Sequence, residues 1–434
     1  MNNQPATVDV AIIGAGAAGL AAAIFAGEEA ERRGAALHIV LLDGARKPGA
    51  KILVSGGGRC NVTNERVTPD DYCGGSPNII RNVLRSFDEE RTRDWMESLG
   101  VPLKLEPTGK YFPESDSART VLEALMRRVD ELGIEKRFGE RVTAIDRAEG
   151  ASHWTVQVEG SSATLRARRL VIATGGRALP KSGSDGAAYP WLTALGHSIV
   201  TPVPALAPLV LDERGVAGSP LSRAFADLSG ITLFARLDFR VDNRSVASVT
   251  ESLLFTHFGL SGPAAMNMSR HIARHRQSNP KADPGVLLFG LLRWKTLDEA
   301  DQLLQQQIKR QPRATVLTTL TGQMPERLAG VLAGRLAGLP VGALTREDRR
   351  HLATMLTAAP LWVNGDRGYS FAEATAGGVE LGEINWRTME SRKAEGLYLC
   401  GEVLDVDGRI GGFNFQWAWS SGRTAGIGAV AALG

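Results

Sequence analysis

The residues with the plainest chemical implication lie at the start of the chain, where 8–19 read VDVAIIGAGAAG. A short apolar run ends at Gly14, and Gly16 and Gly19 follow at the spacing G-x-G-x-x-G. Gly14 permits a tight turn, Gly16 lets the backbone approach a diphosphate, and Gly19 lets a helix pack on a strand. The helix that begins there offers unpaired N–H groups and about half a positive charge to an anion. A second apolar run, LHIVLL at 37–42, ends in Asp43, 24 residues beyond Gly19. A carboxylate there is placed to accept hydrogen bonds from a ribose diol; the alternative is a surface turn with Gly44. The order of strand, glycine turn, helix, strand and acid predicts dinucleotide binding.

Two further segments have the composition of a site. SGGGRCN at 55–61 strings three glycines together, a nest of backbone N–H groups suited to an anion or to a flat ring at close approach. Arg59 adds a positive charge, and Asn61, Thr63 and Asn64 continue with hydrogen-bonding side chains. The segment is expected to form a second wall of the cofactor site. Near the C-terminus, Gly411-Gly412-Phe413-Asn414-Phe415-Gln416 opens a helix. In a flavin enzyme such a helix N-terminus stabilises negative charge on the reduced ring. Trp417 and Trp419 behind it are expected in the core. Asp405 and Asp407 precede it, and serve either a ribityl or phosphate contact or turn chemistry.

These segments need a frame. A length of 434 residues suggests about three domains. The net charge of +3 does not call for nucleic acid or an acidic membrane surface, and the basic runs at 166–170 and 269–276 read as solvated faces. The cysteines, Cys60, Cys73 and Cys400, form no CxxC pair and no metal spacing, which fits a reducing compartment. The N-terminus MNNQPATVD lacks the features of a signal peptide. The expectation is a soluble cytoplasmic protein with no metal and no membrane partner.

Residues 8–43 read as a βαβ unit, 78–134 as helices, and ERVTAIDR, HWTVQVEG and ATLRARRLVIATGG as strands. After Gly196 the texture turns β-rich, and from 296 it turns helical. At 361 strand and glycine turn return. The expected fold is α/β: a discontinuous Rossmann-like domain (1–195 and 361–434), with an inserted β-rich, barrel-like part (196–295) and a helical part (296–360).

The motifs match a known family. GAGAAG at 14–19, GAKILVSGGGRCNVTN at 49–64, GKYFPESDSARTV at 109–121, ATGG at 173–176, FTHFGLSGPAAM at 255–266, ATAGGVELGEI at 374–384 and GLYLCGEVLDVDGRIGGFNFQWAWSSGRTAG at 396–426 resemble the HI0933-like bacterial flavoproteins. Relatives of that group include the aminoacetone oxidase and enoate-reducing BaiN families. The resemblance implies noncovalent FAD on the Rossmann-like domain. It places Gly14, Gly16, Ala17, Ala18, Gly19, Asp43 and Gly44 at the ADP half, with Val142 meeting the adenine through its backbone. It places Lys51, Ser55, Gly57, Arg59, Cys60 and Asn61 along the flavin side, with Thr174, Gly175 and Gly401 at strand ends facing the cofactor. Asp405, Gly412, Asn414, Phe415 and Gln416 would close the flavin end.

The chain holds no second G-x-G-x-x-G and no CxxC, which argues against a separate NAD(P)H domain and against disulfide-reductase chemistry. The first expectation is an NAD(P)H-linked reductase of an activated C=C or similar small-molecule acceptor, with NAD(P)H bound transiently. The alternatives are an amine or aminoketone oxidase using oxygen, and a flavin-bound protein acting on RNA. Charge favours the small molecule over the RNA. His257, in THFGLSGP, is a candidate acid/base, and Cys60 a candidate group at the flavin face. Each has a structural alternative, as a hydrogen-bonded histidine and as a small packed residue. Sequence leaves the oligomeric state open.

Overall fold

The computed structural model describes residues 7–148, 150–161, 164–212 and 219–434. The chain divides into two compact units. One comprises the residues up to Val203 and from Glu373 onward, and the other is Pro204–Ala372.

The first unit is built on five parallel strands. In chain order they are β1 (Thr7–Ile13), β2 (Ile39–Asp43), β3 (Glu135–Phe138), β4 (Leu165–Ile172) and β5 (Leu397–Leu399). They lie side by side as β5-β4-β1-β2-β3. Val10–Ile13 and Ile39–Leu42 are buried throughout, as expected of strands covered on both faces. The strands Val142–Asp146 and Trp154–Val158 form an antiparallel meander onto the start of β4.

Three helices matter to the site: α1 (Ala17–Arg33), α2 (Ala50–Gly58) and α3 (Phe413–Ala431). The alanines of α1 and the glycines of α3 have a common purpose. A Cβ added at Gly422 would lie 2.4 Å from the Ala18 carbonyl oxygen, and one at Gly426 would lie 2.2 Å from that of Ala22. Backbone packs on backbone here, so the last helix of the chain is held against the first. Phe25, Phe87, Trp95 and Trp419 form an aromatic cluster beside them. No described helix is long and apolar enough to cross a membrane.

The second unit holds a seven-stranded antiparallel sheet in the order 359–361, 286–291, 232–241, 244–256, 259–261, 209–211 and 363–366. Alternate residues such as Ala235, Leu237 and Phe239 face its core. Its two edge strands are joined only by Trp362, yet they are not paired with each other, so the barrel-like path is not hydrogen-bonded shut. Helices 297–310, 326–333 and 346–358 share one hydrophobic core with this sheet. The β-rich and helical parts are therefore a single unit. Its boundaries fall at 203/204 and 372/373 rather than near 195 and 361. The reason is pairing: Ile199–Ala205 lies along Ala374–Val379, and 363–366 completes the inserted sheet.

Candidate cofactor site

The glycine turn is formed as its spacing requires. Gly14 has φ +105°, and a Cβ there would sit 2.4 Å from the Ala173 carbonyl oxygen. At Gly19 a Cβ would lie 1.7 Å from the Gly14 carbonyl oxygen, so no side chain fits. Gly16 is different: a Cβ there would meet nothing within 4 Å. Gly16 caps α1 without a side-chain hydrogen bond. The first turn of α1, including Ala17 and Ala18, thus offers its N–H groups to that open side.

Asp43 ends β2 half-buried. One carboxylate oxygen accepts the Ala15 N–H at 2.7 Å and the other accepts the Ala45 N–H at 2.7 Å. Each oxygen keeps a lone pair, which suits a diol. Gly139 and Glu140 donate to the Asp43 carbonyl, and a Cβ at Gly44 would meet the Arg141 side chain at 3.3 Å. Val142 therefore follows directly on a turn that borders the acid.

In α2 the helix breaks at Ser55. Gly56, Gly57 and Gly58 have φ of +56°, +70° and +86°, and Cys60 has +63°. The three glycines are exposed and a Cβ at Gly57 would meet nothing, so the loop presents bare backbone. Asn61, with its amide turned to match its neighbours, accepts from the Gly412 N–H at 2.9 Å and donates to the Thr63 carbonyl at 3.0 Å. That bond joins the SGGGRCN loop to the cap of α3, 351 residues away. Lys51 reaches Glu402 at 2.5 Å, and Glu402 accepts the Thr375 N–H at 2.9 Å.

Thr174 and Gly175 continue from β4, beside Gly14. The Thr174 hydroxyl is buried without a partner, and so is that of Ser184. The Ser184 hydroxyl lies 2.8 Å from where a Gly175 Cβ would be. Two buried orphan hydroxyls beside an open glycine cradle are what a bound polar group would satisfy. Gly401 (φ +75°) packs on Ala18 and donates to the Ser421 hydroxyl at 2.9 Å. Asp405 is buried and accepts the Gly377 N–H at 3.1 Å.

Some expected contacts are engaged elsewhere. Arg59 pairs with Glu106 at 2.6 Å and Asp116 at 3.5 Å, and lies over the Phe112 ring, so its charge is already balanced. The Gln416 amide is buried and bonded to Thr63, the Phe87 carbonyl and Ser420, which fixes α3 internally. Asn414 bonds both ways with the Gly408 backbone, at 2.8 and 3.0 Å, and closes the turn before the helix. Phe415 stacks on Trp419. What α3 leaves for a ligand is its N-terminal backbone behind Gly412. Cys60 is fully buried, and burial pushes its thiol up to about 12 despite a hydrogen bond from Ser55. His257 lies in the second unit, exposed, on the turn between 244–256 and 259–261, with its ring edge-on to Phe258 at 5.2 Å.

Ser184, Thr375 and Glu402 were not singled out in the sequence. The turn-rich SGSDG after ATGG was the available signal for Ser184.

The model of the HI0933-like protein Rossmann domain matches residues 8–428. The chain belongs to the HI0933-like family. It is an FAD-dependent oxidoreductase, and the open cradle and orphan hydroxyls fit that cofactor. Over 415 residues it is 32% identical to the ribosomal RNA dihydrouridine synthase of Escherichia coli, covering 95% of this chain and 96% of that one. Over 420 residues it is 32% identical to the 3-dehydro-bile acid delta(4,6)-reductase of Clostridium scindens, covering 96% and 98%. Among solved structures, the 3-ketosteroid-delta4-(5alpha)-dehydrogenase of Rhodococcus jostii shares the fold at a TM-score of 0.51 and 15% identity, covering 99% of this chain and 98% of that one.

Proposed function

We propose that this HI0933-like protein uses FAD to reduce a carbon–carbon double bond conjugated to a carbonyl, with NAD(P)H as the electron donor. The observation that carries the reading is the pair of relatives. Two proteins of different activity are each 32% identical to this chain over nearly its full length. A dihydrouridine is a uridine whose ring double bond is reduced, and a 3-dehydro delta(4,6) acid carries double bonds beside a ketone. The shared chemistry is addition of a hydride and a proton across an activated C=C. The balance is one NAD(P)H and one proton consumed per double bond, with NAD(P)⁺ released.

When bound, FAD supplies the relay of the hydride between donor and acceptor. The protein's part is placement. The open first turn of α1 would take the pyrophosphate, and Asp43 the ribose diol. Thr174 and Ser184 would give their hydroxyls to polar atoms of the cofactor. The N-terminus of α3 would face the end of the ring where negative charge gathers on reduction. Cys60, held as a thiol by burial, is assigned to packing beside the loop.

The test is anaerobic stopped-flow mixing of the holoenzyme with NADPH and then a conjugated acceptor. Bleaching by NADPH, followed by recovery of flavin colour on adding uridine-containing RNA or a steroid dienone, supports the reading. Peroxide release with an amine substrate and no bleaching by NADPH or NADH would replace it with an oxidase.

A further inference from the structure

The proposed reduction consumes a proton as well as a hydride, and the first unit holds a carboxyl group placed to supply it. Glu373 is the residue with which the chain re-enters that unit. It directly precedes the strand Ala374–Val379, whose six residues are all buried. The start of that strand is pinned from two sides. The Thr375 hydroxyl accepts the Arg177 and Ala178 N–H groups at 2.8 and 3.0 Å, just beyond the ATGG turn. The Thr375 N–H donates to Glu402, which in turn holds Lys51. A Cβ at Gly176 would lie 2.4 Å from the Thr375 hydroxyl oxygen and 2.9 Å from a Glu402 carboxylate oxygen. Glu373 therefore stands two residues from a junction of three walls of the cofactor site: the turn after β4, the first turn of α2 and the turn Gly401–Val403.

Two cations face the Glu373 carboxylate, Lys110 and Lys51. Both belong to the SGGGRCN wall. Lys51 lies in α2, and Lys110 is paired across from Asn64, whose amide donates to the Gly411 carbonyl at 2.9 Å before the cap of α3. Among the described residues Glu373 itself makes no hydrogen bond and no ion pair. Its side chain is exposed to water. Yet burial pushes its carboxyl above the ordinary value and outweighs the pull of Lys110 and Lys51. On a convex surface, two cations would lower a carboxyl instead. A group that water reaches while protein surrounds it lines a recess.

A carboxyl that keeps its proton toward neutral pH is a general acid. Contact with water lets it regain a proton after each transfer. We propose that Glu373 gives the proton to the acceptor, and that Lys110 and Lys51 stabilise the carboxylate that remains. The assignment rests on the reductase reading. As the hydride adds to one carbon of the conjugated bond, the π pair moves to the carbon beside the carbonyl. There the Glu373 O–H bond breaks and a C–H bond forms. Solvent returns a proton to the carboxylate. NAD(P)H is oxidised and the acceptor is reduced by the same two electrons, so no further reductant is needed.

The experiment compares wild-type holoenzyme with Glu373→Gln, Glu373→Asp and Glu380→Gln, the last altering an exposed carboxylate just past the other end of the same strand. Flavin content reports folding. The first readout needs no acceptor: the absorbance of the oxidised flavin is titrated from weakly acidic to neutral pH. A carboxyl titrating at the ring shifts the spectrum in one step, above the ordinary carboxylate range. That step should vanish in Glu373→Gln and persist in Glu380→Gln. The second readout is anaerobic double mixing, first with NADPH and then with a 4,6-dien-3-one steroid or uridine-containing RNA. Bleaching by NADPH should be unchanged, because hydride delivery to the cofactor takes no proton from Glu373. Recolouring should slow on the order of 100-fold in Glu373→Gln and recover in part in Glu373→Asp. Should Glu373→Gln lose its flavin, Glu373→Asp carries both readouts, with the step displaced and recolouring slowed. Recolouring at the wild-type rate in Glu373→Gln, or a spectral step that survives that substitution, overturns the assignment. If NADPH does not bleach the wild type, or neither acceptor recolours it, the reductase reading fails. A step lost in Glu373→Gln alone would then still uphold Glu373 as the group that titrates at the ring.

Discussion

At the residue scale, the glycines and Asp43 were legible because their work is local. Gly14 and Gly19 are each required by a carbonyl that a Cβ would strike. Arg59 and Gln416 were less legible because their partners are distant in sequence, Glu106 at 47 residues and Thr63 at 353. A sequence shows that an arginine is charged but not that two carboxylates already surround it. Asp43 gives a direct prediction. Replacing it with Asn removes the charge that holds Ala15 and Ala45 and that would take a diol, so FAD affinity should fall at least about tenfold. Fluorescence titration of the apoprotein with FAD measures this, and an Asn variant that purifies fully yellow would refute the assignment. Cys60 gives the opposite kind. A buried thiol raised to about 12 is protonated at neutral pH, so iodoacetamide should leave it unmodified in the native protein between pH 7 and 9. Cys60→Ser should turn over as wild type does. Rapid labelling at Cys60 in intact-mass spectra would contradict its burial.

At the scale of elements, the alanine-rich helix after the glycine turn reads in sequence as part of a nucleotide motif, and the structure shows why it is so poor in large side chains. It must accept α3 at backbone distance. Gly426→Ala sets a methyl 2.2 Å from the Ala22 carbonyl oxygen, and should cost about 3 kcal/mol along with bound flavin. Chemical denaturation compared with a Gly434→Ala control would measure it. A second element-scale prediction concerns the buried link of His197 to Glu383 at 2.9 Å and to Ser391 at 2.8 Å. Burial lowers the His197 pKa and outweighs the opposing pull of Glu383. The unfolded chain takes up a proton near pH 6.5 that the folded one resists, so stability should be fully present above that value and fall as pH drops through it. Glu383 is lowered too: burial alone would raise it, but Ser198 and His197 prevail, so its contribution is lost further toward acid. The midpoint of thermal unfolding should drop by a few degrees between pH 7 and 5.5. In His197→Gln the curve should be flatter over that window.

At the scale of the whole molecule, the change of texture after Gly196 and the return of strand and glycine turns gave the insertion away, because composition follows burial over long windows. The exact seams were set by strand pairing, of Ile199–Ala205 with Ala374–Val379 and of 363–366 with 209–211, which no local pattern records. The central claim is that FAD on the first unit is reduced by NAD(P)H and passes the hydride to a conjugated double bond. Anaerobic mixing of the purified holoenzyme with NADPH, followed at the flavin absorbance, tests it most directly. The account predicts loss of the yellow colour within the mixing experiment and its return on adding a conjugated acceptor. A flavin that dithionite reduces but neither NADPH nor NADH bleaches would contradict it.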